Sequence, residues 1–351
     1  MNYIRLLVYR LKKVVAISAS AIHWIFLYWR VISSRLINPY RKHIGILLAE
    51  HFGDIVACEP IASELKRLYP QSKIYWIVKK AYRDLVAYNP AIDVVVEEYS
   101  VLQSILLTWK HPFDQFHNCQ MPGLRYYPYL GKMLDNPRAR SMNITLDTYY
   151  FQENLLTAFT KIGGLHAINK TPKLFIPDAA VRAVEQLRLP PKFVVVHCHS
   201  NWSNRDWQTE GWLQLIDDLV TTFKVCVVEI GLKSTLPLTN DDRFVNLCGK
   251  LSLLETAEVI RRASYFIGID SGPAHLGNAV GTFGFILLGK LNQFNRYMPY
   301  SGDYQSGRKA RFIVKDEAPS TELTYEEVWP IVRETILVQE SDSMEEQPER
   351  V

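Results

Sequence analysis

Asp270-Ser271-Gly272-Pro273-Ala274-His275-Leu276 is the stretch whose reading decides the fold. The apolar run 265–269 before it reads as a buried parallel strand. The small residues 274–280 after it read as a helix closed by Gly281. A strand therefore ends, the chain turns at Ser-Gly-Pro, and a helix starts with proline in its first turn. Amide groups at such a start lack intrahelical partners and lie at the positive end of the helix dipole. Gly272 admits a ligand close to the backbone, Ser271 offers a hydroxyl, and His275 lies one turn in. This is a place for a phosphate or diphosphate. The same residues also make an ordinary strand–turn–helix connection, so the rest of the chain has to separate the two readings.

Outward from that turn, strands alternate with helices. In the first half, strands are expected at 44–48, 73–78, 92–96 and 113–117, with helices at 55–68, 82–88 and 101–109. After an irregular stretch, 120–145, a helix is expected at 148–162. In the second half, strands are expected at 193–196, 225–229, 244–247, 265–269 and 285–288. Helices are expected there at 209–220, 253–262, 273–280 and 324–338. Such alternation implies parallel sheets with right-handed crossovers. The expected fold class is α/β: two doubly wound Rossmann-like domains facing a central cleft, plus an N-terminal amphipathic, hydrophobic helix. The expected divisions are a basic membrane-associating arm over 1–42, a first domain over 43–170, a second over 171–338, and a disordered acidic tail over 339–351.

Three polar turns follow strand ends, where ligands bind in open parallel sheets. They are Glu50-His51-Phe52-Gly53-Asp54, residues 197–206, and the opening stretch. Asp54, behind a glycine at a helix start, reads as a general base or as a helix cap. In the second turn Arg205 can neutralise a diphosphate, while Ser200, Asn201 and Ser203 can donate to its oxygens. The plain alternative there is a solvated loop with an Arg–Asp surface pair. His197 and His199 have no third ligand at recognisable spacing, so no metal site is expected. The chain has no G-x-G-x-x-G, no P-loop and no D-x-D.

The 351 residues, 48% of them hydrophobic, can bury the cores of two domains. Residues 1–49 hold eight of the 40 Lys/Arg and none of the 36 Asp/Glu, which leaves the remainder net acidic with 32 basic groups. A nucleic-acid partner, which would want a basic stripe on the body, is therefore not expected. The five cysteines, an odd number without C-x-x-C, read as reduced and largely buried. In the arm, apolar residues 14–29 end in Trp24, Phe26, Tyr28 and Trp29, and Lys/Arg flank them on both sides. A signal peptide, a transmembrane anchor and a helix packed on the protein's own core all fit this pattern. The reading favoured here is a helix lying on the anionic cytoplasmic face of the inner membrane, peripheral or singly anchored. On that reading, removal of residues 1–38 releases the protein.

Taken in order, these turns resemble glycosyltransferase family 9, the heptosyltransferase type of GT-B enzyme. The resemblance covers residues 43–335. It is carried by Gly45-Ile46-Leu47-Leu48 through Gly53-Asp54-Ile55-Val56, Arg205-Asp206-Trp207-Gln208, Gly249-Lys250-Leu251-Ser252-Leu253, and Asp270 to Leu276. It implies inverting, metal-independent transfer of a sugar, usually heptose from ADP-heptose, to a lipopolysaccharide core or related glycolipid, without a cofactor. By the same match Asp54 is the base, with His51 and Gly53 on the acceptor side. Ser200 and Arg205 would hold the diphosphate with Ser271, Gly272 and His275 on the helix start, Asp270 would belong to the donor site, and Cys248 to Leu251 would sit beside the nucleobase. The chain departs from the family at Gln208 in place of proline and at Gly289-Lys290-Leu291 in place of G-P-T. It departs again at Gly231-Leu232-Lys233-Ser234, where the family often has an acid for the donor's ribose. Either Glu229 substitutes for that acid or the donor differs. The alternatives are a nucleotide-sugar epimerase of the same architecture and an inactive assembly factor at the membrane.

Overall fold

Two parallel sheets organise the chain. The structure, a computed structural model, describes residues 3–237 and 243–345. It divides into two units, Met1–Phe175 with Tyr297–Gly302, and Ile176–Arg296 with Asp303–Val351.

In the first unit a long helix, α1 (Tyr3–Ile37), precedes strand β1 (His43–Leu47), helices α2 (Phe52–Ala57) and α3 (Glu59–Leu68), and β2 (Lys73–Lys79). Then follow α4 (Asp84–Ala87), β3 (Val94–Glu98), α5 (Val101–Trp109) and β4 (Gln115–Asn118). A small hairpin, β5 (Tyr126–Tyr127) and β6 (Lys132–Met133), leads to α6 (Pro137–Ser141) and α7 (Leu155–Ile162). The sheet order is β3-β2-β1-β4, all parallel. Strand β1 is buried along its whole length, as a central parallel strand covered on both faces must be. The helix expected over 55–68 is two helices. Cys58 leaves helical geometry between them, and Pro60, which has no amide hydrogen, falls in the first turn of α3.

The arm is part of this unit's core. Leu27 and Val31 of α1 pack with Leu47, Tyr75, Ile77, Val94, Val96 and Leu107. Polar contacts run along the same face. Ser20 Oγ lies 2.7 Å from Ser100 Oγ, Trp24 Nε1 donates to Lys110 O at 3.0 Å, and Arg35 pairs with Asp114 at 2.8 Å. The residues 20, 24, 27, 31 and 35 recur at helical spacing, which is why one face suffices. The segment Arg5–Ile37 is long and apolar enough to cross a membrane, yet these contacts make its second half a layer of the domain.

The second unit opens with α8 (Asp178–Gln186) and β7 (Phe193–His197), then α9 (Thr209–Phe223), β8 (Cys226–Glu229) and β9 (Phe244–Asn246). It continues with α10 (Leu253–Arg262), β10 (Tyr265–Ile269), α11 (Gly272–Val280) and β11 (Gly284–Gly289). After α12 (Gly302–Gln305), which begins where the chain returns to this unit, come β12 (Ala310–Lys315) and α13 (Tyr325–Glu345). The order is β12-β11-β10-β7-β8-β9, again parallel. Strand β12 and helix α8 were not anticipated. The first is an edge strand whose Arg311 and Lys315 break the apolar run, and the second buries only Ala180 and Val184. Helix α13 continues to Glu345, seven residues into the stretch read as a disordered tail, of which 346–351 lie outside the described residues.

The first unit extends to Phe175, five residues past the expected division. Lys170 pairs with Glu64 at 2.6 Å, and the Lys173 amide donates to Glu59 Oε2 at 2.9 Å. The unit also takes back the segment Tyr297–Gly302. Leu155 N–H donates to Pro299 O at 3.2 Å, Ser301 Oγ donates to Lys170 O at 3.0 Å, and the Tyr297 and Tyr150 rings stack with centroids 4.4 Å apart.

Candidate functional site

In the second unit, strands β8 and β9 lie on one side of β7 while β10, β11 and β12 lie on the other. The connections leaving β7 and β10 therefore diverge, and the crevice between their carboxyl ends is the topological switch point where ligands bind. The two turns singled out from sequence, 197–206 and 270–275, are these connections.

The structure joins them. Arg205 Nη1 lies 3.4 Å from Asp270 Oδ2 and 3.3 Å from Asp270 O, and its guanidinium lies 5.0 Å from the Trp202 ring centroid. Both Asp270 contacts are longer than a strong charge-assisted pair. Asp270 and His275 are buried. Ser271 stands at the helix start with extended backbone, but its hydroxyl does not cap α11. That hydroxyl bonds His197 Nδ1 at 3.0 Å and donates to Ile269 O at 3.1 Å. His197 thus belongs to the site as the residue that fixes Ser271. As the last residue of a strand it drew attention in the sequence only as a metal candidate. Among the described residues no group of three or more His, Cys, Asp or Glu is placed to hold a metal ion.

Ser200 is organised differently. Its amide and hydroxyl both donate to Asp206 Oδ1, at 2.8 and 2.9 Å, and His199 Nδ1 lies 2.6 Å from Asp206 Oδ2. Asp206 is the hub of this loop, a role that the sequence did not single out.

Cys248 and Leu251 lie in the connection after β9. Gly249 N–H donates to Gly231 O at 2.8 Å, which ties this connection to the one after β8. Gly231 has φ +147°, a conformation that favours glycine. A side chain there would meet the His197 ring at 3.5 Å and Cys248 Sγ at 3.7 Å, so Gly231 lies against both side chains. Glu229, buried at the end of β8, accepts from Ser234 Oγ at 2.6 Å and from the Cys248 thiol. Burial raises its pKa, and those two hydrogen bonds only partly oppose the shift. Burial, with the Glu229 charge beside it, pushes the Cys248 thiol up to about 12, so it stays protonated and does not act as a nucleophile.

Burial, reinforced by the nearby His199, lowers His197 to about 4, so its ring is neutral at pH 7. This has a testable sign. Below pH 6.5 the unfolded chain takes up a proton that the folded chain refuses until about pH 4. Folded stability should therefore fall across that window, by as much as ~1.4 kcal/mol per pH unit from this one group. Burial lowers His43, His111 and His117 as well, adding to the same trend. Denaturant midpoints at pH 7, 6 and 5 should drop in that order, and His197→Gln should flatten the slope. An unchanged slope would remove His197 from the account.

In the first unit, β2 and β3 lie on one side of β1 and β4 on the other, so the turn after β1 is likewise at a switch point. His51 is the N-cap of α2, Gly53 is buried, and Asp54 is the third residue of the helix. The Asp54 carboxylate reaches back, with Oδ2 3.3 Å from His51 N and 3.7 Å from His51 Nδ1. The Asp54 carboxylate beside the imidazole ring raises the His51 pKa. Asp54 is thus held at a helix start while keeping 21% of its side chain exposed, enough to meet a substrate.

The sequence model of glycosyltransferase family 9 (heptosyltransferase) matches residues 156–290, a span that contains the second-unit residues but not Asp54. Lipopolysaccharide heptosyltransferase 3 of Escherichia coli is 21% identical over 302 residues, covering 72% of this chain and 87% of that protein. The lipopolysaccharide core heptosyltransferase OpsX of Haemophilus influenzae is 21% identical over 270 residues, covering 69% and 77%. Among solved structures, E. coli ADP-heptose lipopolysaccharide heptosyltransferase II aligns with TM-score 0.61 at 15% identity, over 85% of this chain and 99% of that one. A family 9 glycosyltransferase from Veillonella parvula aligns with TM-score 0.60 at 16% identity, over 85% and 97%. The resemblance to family 9 and the GT-B architecture are borne out, and with them the assignment to glycosyltransferases.

Proposed function

We propose that the chain transfers a sugar, by inversion and without a metal, from a nucleoside diphosphate donor to a lipopolysaccharide core or a related glycolipid. The specific reading is heptose from ADP-heptose. The observation that carries it is the convergence of Arg205, Asp270, Ser271 and His197 at the second sheet's switch point, beside the start of α11. In the reaction the acceptor hydroxyl attacks the anomeric carbon and Asp54 takes its proton. The bond from that carbon to the diphosphate breaks, and the electron pair leaves with the diphosphate. Charge grows on the leaving group, so fixed donors placed there lower the barrier. Arg205 and the positive end of α11 are suited to that task. Gly231 and Gly249 keep the neighbouring connections narrow, and Glu229 with Cys248 offers polar groups to the nucleoside.

The acceptor reading extends to location. Helix α1 turns one face into its own domain and leaves Leu11, Val15, Ile22, Phe26, Trp29 and Leu36 exposed on another, with Arg5, Arg10, Lys12 and Arg30 exposed among them. Such a stripe suits a helix lying in the interface of an anionic bilayer. We place the protein on the cytoplasmic face of the inner membrane, held peripherally by α1.

A thermal-shift comparison of ADP, GDP and UDP tests the donor reading. ADP at concentrations well above its dissociation constant should raise the melting temperature by several degrees. Arg205→Ala should abolish the shift, read as the change on adding ADP to that variant, since the variant's own baseline falls when buried Asp270 loses this partner. Stabilisation by GDP or UDP alone would replace the adenine nucleotide, and no shift with any of the three would overturn the donor reading.

A further inference from the structure

One buried cation of the first unit links the ends of two strands, and a lysine from a third joins them. Arg125 comes from the irregular stretch after β4, and its side chain is only 1% exposed. Its Nη1 donates to Glu98 Oε1 at 2.8 Å, and its Nη2 donates to the other Glu98 oxygen. Its Nε lies 2.7 Å from Glu50 Oε1, and Lys79 Nζ takes the second oxygen of Glu50. Ser104 adds a hydrogen bond to Glu98. Glu98 ends β3, Lys79 ends β2, and Glu50 lies three residues beyond the end of β1. Two carboxylates and two cations thus form a chain of ion pairs, Lys79–Glu50–Arg125–Glu98, over the carboxyl edge of the sheet. Burial pushes the Glu50 carboxyl up, but the Lys79 hydrogen bond and the charges of Arg125 and Lys79 outweigh it. The net pKa is lowered, and Glu50 is ionised at neutral pH.

Buried ion pairs are poor devices for stability, because desolvation offsets much of the attraction. They do fix geometry, and what this one fixes is Glu50. The residue after Glu50 is His51, the N-cap of α2, and Asp54 follows within the first turn. We propose that Arg125 is a positioning residue. By clamping Glu50 against the end of β3, it holds the His51–Asp54 turn in one conformation and so presents the Asp54 carboxylate in one place. A lysine cannot replace it, since a point charge lacks the fork that takes both Glu98 oxygens while setting a third nitrogen against Glu50. This inference rests on Asp54 being the base.

The test uses the full chain and two measurements. Hydrogen exchange needs no substrate. Arg125→Gln and Glu50→Gln should each lower protection at residues 50–57 by tenfold or more and leave the second unit unchanged, and Arg125→Lys should fall between them and wild type. Turnover is then read as ADP release from ADP-heptose with heptose-deficient lipopolysaccharide as acceptor. Both glutamine variants should lose about 10- to 100-fold in kcat with the donor KM within twofold. Adding Arg125→Gln to Asp54→Asn should cost little more than Asp54→Asn alone. Unchanged exchange at 50–57, or a loss spread evenly over the whole first unit, overturns the proposal. If Arg125→Gln does not fold, Glu50→Gln decides, because it cuts the link to the turn and leaves Arg125 paired with Glu98. Wild-type turnover by Asp54→Asn would instead remove the base assignment, and the proposal with it. An inactive Asp54→Asn beside fully active Arg125→Gln and Glu50→Gln would remove the proposal alone.

Discussion

Asp54→Asn should lower sugar transfer by about three orders of magnitude, within the 10²–10⁴ range of a lost general base. Asparagine keeps the shape and the oxygen that accepts from His51 N, so the helix start survives and only the basicity goes. Alanine would add a capping loss of about 1 kcal/mol, too little to unfold a two-unit protein and therefore no confusion for the assay. Donor binding should be untouched in either variant, because the residues assigned to the donor belong to the other unit. An Asp54→Asn protein within tenfold of wild-type kcat sinks the assignment. The measurement matters because the family match covers residues 156–290, and Asp54 lies outside it.

The second large effect is at the membrane. Phe26 and Trp29 are 71% and 64% exposed on the outward face of α1, and together they offer the largest apolar area on that stripe. Full burial of such a side chain is worth about 1.5–3 kcal/mol. The double change Phe26→Asp, Trp29→Asp should thus weaken binding to vesicles of phosphatidylglycerol and cardiolipin by roughly a hundredfold or more. Its melting temperature should stay near wild type. Leu27→Ala should do the reverse, costing about 2–5 kcal/mol of stability with vesicle binding intact in the folded fraction. Flotation with and without the anionic lipid reads the first, and denaturant titration the second. Equal flotation of the double variant and the wild type would strip α1 of its membrane role. Removal of residues 1–38, the obvious experiment from sequence, is not a clean test. It also takes away Leu27, Val31 and the Ser20 hydrogen bond, and so opens the core of the first unit.

That contrast shows what the residues disclosed and what they hid. The alternating order was legible because central parallel strands are continuous apolar runs and the helices between them keep a helical period; strand Tyr265–Ile269 and helices Val101–Trp109 and Leu253–Arg262 fall where their patterns put them. Punctuation by Gly and Pro made the Asp270–His275 turn visible. The inward face of α1 was legible only as one of several readings. Its packing residues are spaced like those of any amphipathic helix, and composition does not say whether the partner is a sheet or a lipid. The ion-pair chain of Lys79, Glu50, Arg125 and Glu98 could not be read at all. Its members come from four separate strand ends or loops, up to 75 positions apart, and charge at a strand end ordinarily means solvent. His197 and Asp206 were hidden for a related reason. What they do depends on which turn lies next to theirs, and that adjacency is a property of the sheet order.

The segment Tyr297–Gly302 bears on how the molecule is made. Tyr300 and Ser301 are buried in it, and Gly302, with φ +64°, sits so close to Thr171 that a side chain there would overlap the backbone. These residues belong to the first unit but are synthesised only after residues 176–296 of the second. On a ribosome the first unit therefore waits, on the order of ten seconds at ordinary elongation rates, for its last piece. Until that piece emerges, the surface it will cover on α7 and around Lys170 is open, and the nascent chain depends on whatever shields it.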